Sequence, residues 1–177
     1  MSGVSPKRMG NSHPNVVPYQ VFPTADGHVV IAVGTDAQFL RLCEVLDLPE
    51  LAADPRFQSN AGRVTARADL VASIAARAVR MTRAELLSAL ERAGVPTGPI
   101  HDIAEVFADP QVVARAMRLE LPAPDAAAGT VPGVRTPIMF SRTPLNYEQA
   151  SPRLGADTES LLADLADGKP LFRSSRD

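Results

Sequence analysis

Three histidines, His13, His28 and His101, and one cysteine, Cys43, are the side chains of this sequence most able to ligate a metal or attack a carbon near neutral pH. Their spacing rules out most such chemistry. The histidines stand far apart, without a ligand-type interval, so no metal site is assigned. A lone cysteine permits neither an intrachain disulfide nor a thiolate cluster. Cys43 also falls on the apolar stripe of an expected helix, which makes it an inert buried thiol. No glycine-rich phosphate loop of either common pattern occurs. The run Gly94-Val95-Pro96-Thr97-Gly98-Pro99 is Gly/Pro-rich, but its prolines remove amides that a phosphate cradle needs. It reads as a rigid helix-to-strand turn. No Gly-x-Ser-x-Gly elbow is present. Asp36, Asp54, Asp102, Asp109 and Asp157 all read as helix caps or turns, so no catalytic residue is assigned. Arg56, Arg63 and Arg67 could meet a phosphate, but a solvated helix face is the simpler reading. By type and spacing alone the histidines read as surface or satisfied side chains; His13 lies in the loop Gly10-Asn11-Ser12-His13-Pro14, where Gly10 is permissive and Pro14 blocks a helix.

The elements that must position this loop are legible from pattern. Residues 1–14 are polar and rich in Gly, Ser, Asn and Pro, and read as loop. Val16 to Phe22 and Val29 to Val33 flank the turn Thr24-Ala25-Asp26-Gly27-His28, which predicts a β-hairpin. Val29 to Val33 does not alternate, so that strand is expected to be covered on both faces. Asp36 is expected to cap a helix with the stripe Phe39, Leu42, Cys43 and Leu46. Asp54-Pro55-Arg56-Phe57 is a connecting turn. One long helix is predicted from about Ala61 to Arg80, burying Val64, Val71, Ile74 and Ala78, with Arg63, Arg67, Arg77 and Arg80 outside. Thr82 and Glu85 form a capping box for a helix carrying Leu86, Leu87 and Leu90, and Gly94 stops it in the left-handed conformation. Asp102 with Glu105, and Asp109 with Pro110, open two further helical segments. Leu119 to Pro144 is strand-like but broken by proline and glycine. A last helix is expected near Thr158 to Leu165.

Composition narrows the function classes. The 177 residues carry a net charge of -2 and are 45% apolar. That suits a globular chain and argues against a nucleic-acid partner or an anionic membrane surface. No apolar run is long enough to span a membrane. Residues 1–7 lack the apolar core of a signal peptide, so a cytoplasmic location is expected. Lys7 and Lys169 are the only lysines, and the arginine and alanine bias fits a GC-rich bacterial coding sequence.

Several segments taken in order carry a resemblance. Gly10-Asn11-x-His13-Pro14 and Pro18-Tyr19-x-x-Phe22 begin it, followed by Thr24-x-Asp26-Gly27 and Phe39-x-x-Leu42-Cys43. Then come Asp54-Pro55-Arg56-Phe57-x-x-Asn60-x-x-Arg63 and Ala93-Gly94-Val95-Pro96-x-Gly98-Pro99-Ile100. Glu105-Val106-Phe107-Ala108-Asp109-Pro110-Gln111-Val112, Ser141-x-Thr143-Pro144 and Leu154-Gly155-Ala156-Asp157-Thr158 complete it. Together they resemble the C-terminal half of class III CoA-transferases, over residues 8 to about 166. The Arg8-Met9-Gly10-x-x-His13 opening and Val17-Pro18-Tyr19-Gln20 look nearest the succinate/glutarate, dicarboxylate-using branch.

The resemblance implies an α+β fold in three parts. Residues 1–15 would be a lid-like loop. Residues 16–117 would be a small domain with a β-hairpin packed by amphipathic helices. Residues 118–177 would return to a large domain. It implies covalent catalysis by an aspartate of that large domain, through a mixed anhydride and then an aspartyl-CoA thioester. That aspartate lies upstream of the matched region, so the chain is expected to be inactive alone. Coenzyme A enters as a thioester substrate, and no cofactor is expected. The expected partners are acyl-CoA and an N-terminal CoA-transferase half or a second copy of the chain, related subunits being interlocked dimers. Gly10, Asn11 and His13 are the expected substrate-binding residues, in a loop left mobile when nothing holds its N-terminal side. Gly-Asn-Ser-His stands where formyl-CoA transferase has consecutive glycines. Two other readings stay open: a fragment of an acyl-CoA racemase of the same superfamily, and a binding module without turnover.

Overall fold

The computed structural model describes residue 5 and residues 8–169 of the chain. The fold is α+β and divides into two compact units, residues 1–101 and residues 102–177. The division falls after His101, so the helices that follow it group with the second unit and not with the hairpin. The texture change in the sequence comes later, after Met117.

In the first unit, β1 (Tyr19–Thr24) and β2 (Gly27–Ala32) form the expected antiparallel hairpin, with Thr24 opposite Gly27 and Tyr19 opposite Ala32. Asp26 fixes its tip by accepting from the Arg83 amide at 2.6 Å and the Thr24 hydroxyl at 3.2 Å. The Arg83 amide and then Thr24 hold the Asp26 carboxyl below the usual carboxylate range. The short strand β3 (Thr97–Pro99) pairs on the other side of β2, giving the order β1-β2-β3. Val29, Ile31 and Val33 are fully buried, whereas Val30 and Ala32 are only half-buried. The strand is thus covered on one face, not two; the period of two shows in burial although every residue is apolar.

Helix α1 (Asp36–Leu46) buries Phe39, Leu42, Cys43 and Leu46, the stripe read from the sequence. Its cap is Thr35, one residue before the expected Asp36. The Thr35 side chain accepts from the Gln38 amide, and Gln38 reaches back to complete the box. Helix α2 (Pro49–Ala53) and a 3-10 turn (Pro55–Phe57) lead to α3 (Asn60–Thr65) and α4 (Arg67–Ala78).

The single helix expected over 61–80 is therefore two helices, with Ala66 between them at φ -98° and ψ 28°. The bend gives the two pieces different inward faces. Leu70, Ile74 and Ala78 of α4 enter the core, whereas α3 buries Arg63 at 1% exposure. Val64 and Val71, expected inside, are half-buried. Helix α5 (Arg83–Arg92) has the predicted capping box and buries Leu86 and Leu90, with Leu87 half-buried. Gly94 ends it at φ 65°.

The second unit holds α6 (Ile103–Ala108), α7 (Pro110–Ala114), the hairpin β4 (Arg118–Pro122) with β5 (Thr130–Val134), and α8 (Thr158–Ala166). Asp102 and Asp109 cap α6 and α7 as the sequence implies. Of the strand-like stretch, only these two segments pair. None of this unit's described residues is fully buried. Leu119 and Leu121 are half-covered within the hairpin, while Ile138, Met139 and Phe140 are exposed. No helix is long and apolar enough to cross a membrane among the described residues.

Candidate functional site

The loop singled out by the sequence lies along the free edge of β1. Gly10 takes φ 65°, the left-handed region that glycine enters without strain. The Asn11 carboxamide oxygen accepts from the Val21 amide at 3.4 Å, and the Ser12 hydroxyl donates to Gln20 at 3.1 Å. The His13 amide donates to the Tyr19 carbonyl at 2.9 Å. The His13 ring stacks on Tyr19, with centroids 5.3 Å apart and planes 10° from parallel. Gly10, Asn11 and His13 are thus strung along one strand edge, with His13 half-buried and the other two exposed.

The loop is tied down from the other side by α3 and the start of α4. Asn60 grips it twice. Its carboxamide donates to the Asn15 carbonyl at 2.7 Å and accepts from the Val17 amide at 3.1 Å. Arg67 donates to the Pro14 carbonyl at 2.7 Å. Arg63 donates to the Val17 carbonyl at 2.8 Å, to the Phe57 carbonyl at 2.9 Å and to Asp36 at 2.7 Å, with its guanidinium 4.7 Å above the Phe39 ring. The Val17–Pro18 bond is cis. The loop therefore does not hang free of the small domain. Asn60, Arg63 and Arg67 anchor it from below, a role that the sequence around them does not signal.

The three arginines that could have met a phosphate now separate. Arg63 is a buried structural hub and not part of a solvated face. Arg56 lies between Asp54 and Asp69, at 2.8 and 2.9 Å, and those carboxylates raise its pKa. Arg67 makes its contact to the loop carbonyl and has no carboxylate partner among the described residues.

The other candidates stand elsewhere. His28 is exposed on β2, and His101 follows β3. Among the described residues no group of three or more His, Cys, Asp or Glu side chains could hold a metal. Cys43 is buried, and burial pushes its thiol up to about 11. It borders an open depression of about 410 Å³ lined by Glu44, Asp47, Pro49, Ala52 and Ala53. At pH 8 such a thiol is ionised in about one molecule per thousand, so alkylation by iodoacetamide should be negligible in the native chain and rapid in denaturant. Stoichiometric native labelling within minutes would contradict this placement.

Most of the chain is shared with known proteins. The sequence profile described as CoA-transferase family III matches residues 1–158. The succinate–glutarate CoA-transferase of Agrobacterium fabrum is 47% identical over 165 residues, covering 93% of this chain and 41% of that enzyme. The succinyl-CoA:glutarate CoA-transferase of Homo sapiens is 34% identical over 159 residues, covering 90% of this chain and 36% of that enzyme. The crystal structure of a CAIB/BAIF family protein from Brucella suis superposes with a TM-score of 0.75 at 45% identity, covering 93% of this chain and 42% of that one. The chain spans about two-fifths of the length of the curated relatives it matches. Profile, sequence and superposition agree along nearly the whole chain, and on that agreement the protein belongs to CoA-transferase family III.

Proposed function

We propose that these residues form the C-terminal portion of a class III acyl-CoA:carboxylate CoA-transferase that exchanges CoA between dicarboxylates such as succinate and glutarate. The observation that carries this reading is 47% identity to a relative named for that reaction. The nucleophilic aspartate resides in an N-terminal half that this portion completes, and a second copy joins the assembly as an interlocked dimer. Coenzyme A enters and leaves as a thioester, with no cofactor, in the bacterial cytoplasm. Gly10, Asn11 and His13 face the acyl group. Gly10 lets the backbone turn, and Asn11 and His13 offer N–H donors to the free carboxylate of the dicarboxylate chain.

The geometry supports the last role for His13. Its Nδ1 accepts from the Asn15 amide at 3.1 Å, which leaves the second nitrogen, Nε2, to carry the ring hydrogen. The test is transfer of CoA from succinyl-CoA to glutarate. The purified chain should show none. Mixed with the N-terminal half of the Agrobacterium relative it should turn over, and His13→Ala in that complex should slow transfer about ten- to a hundredfold, the worth of one hydrogen bond to a charged group. Transfer by the chain alone that a single Asp→Asn change abolishes would overturn the reading. So would full activity of the His13→Ala complex, as far as the role of this loop is concerned.

A further inference from the structure

Arg67 and His13 are joined through a single peptide unit. The carbonyl of the Pro14–Asn15 peptide accepts from Arg67 at 2.7 Å. The amide of the same peptide donates to His13 Nδ1 at 3.1 Å. A cation on the carbonyl oxygen draws electron density from the amide nitrogen and strengthens its N–H as a donor, because hydrogen bonds in a chain polarise one another. Nothing competes for that cation, since Arg67 has no carboxylate partner among the described residues. Its Nη1 is buried with no acceptor among them, so the residue is not there to make a surface ion pair. Asn60 closes the arrangement by holding the next carbonyl, that of Asn15, at 2.7 Å, which fixes the plane of the chain after His13. Tyr19 fixes the plane of the ring by stacking on it.

We propose that Arg67 is a positioning residue that sets the tautomer of His13. It acts through the Pro14–Asn15 peptide to hold Nδ1 as an acceptor, so that Nε2–H is presented as a donor to the substrate carboxylate. The inference rests on the reading of His13 as a substrate-facing residue, but its structural half can be tested without turnover. A histidine tautomer is set by the hydrogen bond that the other nitrogen makes. An imidazole without that bond samples both tautomers, and then only part of the population offers the right donor.

The experiment uses the full chain with 15N-labelled histidine, recorded at pH 8.5, above the ordinary histidine range. In the native chain His13 should show one protonated and one unprotonated ring nitrogen, with Nε2 protonated. In Arg67→Met the two His13 signals should move toward each other as the tautomers mix, while those of His28 and His101 stay in place. Arg67→Gln keeps a neutral donor and disturbs packing less, so it should show the same movement in smaller measure. Arg67→Lys, which restores the charge, should recover most of the native pattern. Native His13 with Nδ1 protonated would overturn the inference, and so would native His13 shifts retained in both Arg67→Met and Arg67→Gln.

Turnover in the reconstituted transferase supplies the second arm. Arg67→Met should lower kcat/KM for the dicarboxylate by a factor of about two in the His13 background, as part of the population loses the right donor, and have no further effect in His13→Ala, as expected of two residues acting as a unit. An equal loss in both backgrounds would show that Arg67 acts independently of His13. Full activity of His13→Ala alone would instead remove the substrate-facing role and leave the tautomer result intact.

Discussion

Arg63→Ala should destabilise the first unit by about 3–5 kcal/mol, enough to leave a small unit largely unfolded at physiological temperature. The side chain is 1% exposed and is among the largest fully buried groups of the chain. Truncation empties a volume between the 3-10 turn, α1 and the segment leading into β1, and it strips donors from the carbonyls of Val17 and Phe57. Each buried acceptor left without a donor costs about 1–3 kcal/mol. Asp36 matters less, because its side chain is 60% exposed and water can replace the lost partner. Asp36→Ala should therefore cost only about 1 kcal/mol. Arg63→Lys keeps the charge but cannot reach three acceptors lying in different directions, and it should recover less than half of the loss. Urea unfolding followed by circular dichroism measures all three. Equal effects of Arg63→Ala and Asp36→Ala would show that the ion pair, and not the carbonyl contacts, is what the guanidinium contributes.

Gly62→Ala should be comparably harmful, by about 3 kcal/mol, although it introduces only a methyl group into a helix. A β-carbon at this position would sit 2.2 Å from the Arg56 carbonyl oxygen. That oxygen belongs to backbone in the 3-10 turn, so relief demands that the turn move away from α3. The same movement would shift Phe57, whose carbonyl Arg63 holds. Alanine normally stabilises a helix relative to glycine by about 1 kcal/mol; here the sign reverses because the space is already occupied. Thermal unfolding decides the point. A melting temperature equal to or above that of the native chain would mean that the turn yields freely. Gly94→Ala supplies a contrast: nothing lies within 4 Å of a β-carbon there, and the only penalty is the positive φ.

These two positions show what the sequence could and could not convey. The hairpin, the stripe of α1, the capping box of α5 and the stop at Gly94 depend on residues near one another in sequence, where turn chemistry and periodicity operate. The break at Ala66 has no such signature, since no proline or glycine marks it and the apolar positions continue beyond it. It accompanies the inward turn of Arg63, whose acceptor at Val17 lies 46 residues away. An amphipathic pattern sends an arginine outward by default, and only the tertiary contact reverses that assignment. The candidate site was half legible for the same reason. Gly10, Asn11 and His13 stand out through the resemblance, but the residues that hold their loop, Asn60 and Arg67, lie 45 and 53 positions downstream of their partners. The motif Asn60-x-x-Arg63 carried that information, read as resemblance and not as a contact.

The placement of residues 11–13 against β1 has a consequence for how chains meet one another. β1 is the outermost strand of its sheet, and an outermost strand offers unpaired amides and carbonyls to any passing strand. Here the Tyr19 carbonyl is taken by the His13 amide and the Val21 amide by Asn11, so the loop occupies the groups through which a foreign strand would zip on. The segment read as a substrate-facing loop is also a guard against edge-to-edge aggregation. Any engineering that shortens it to widen substrate access would uncover a template for β-addition at the same stroke.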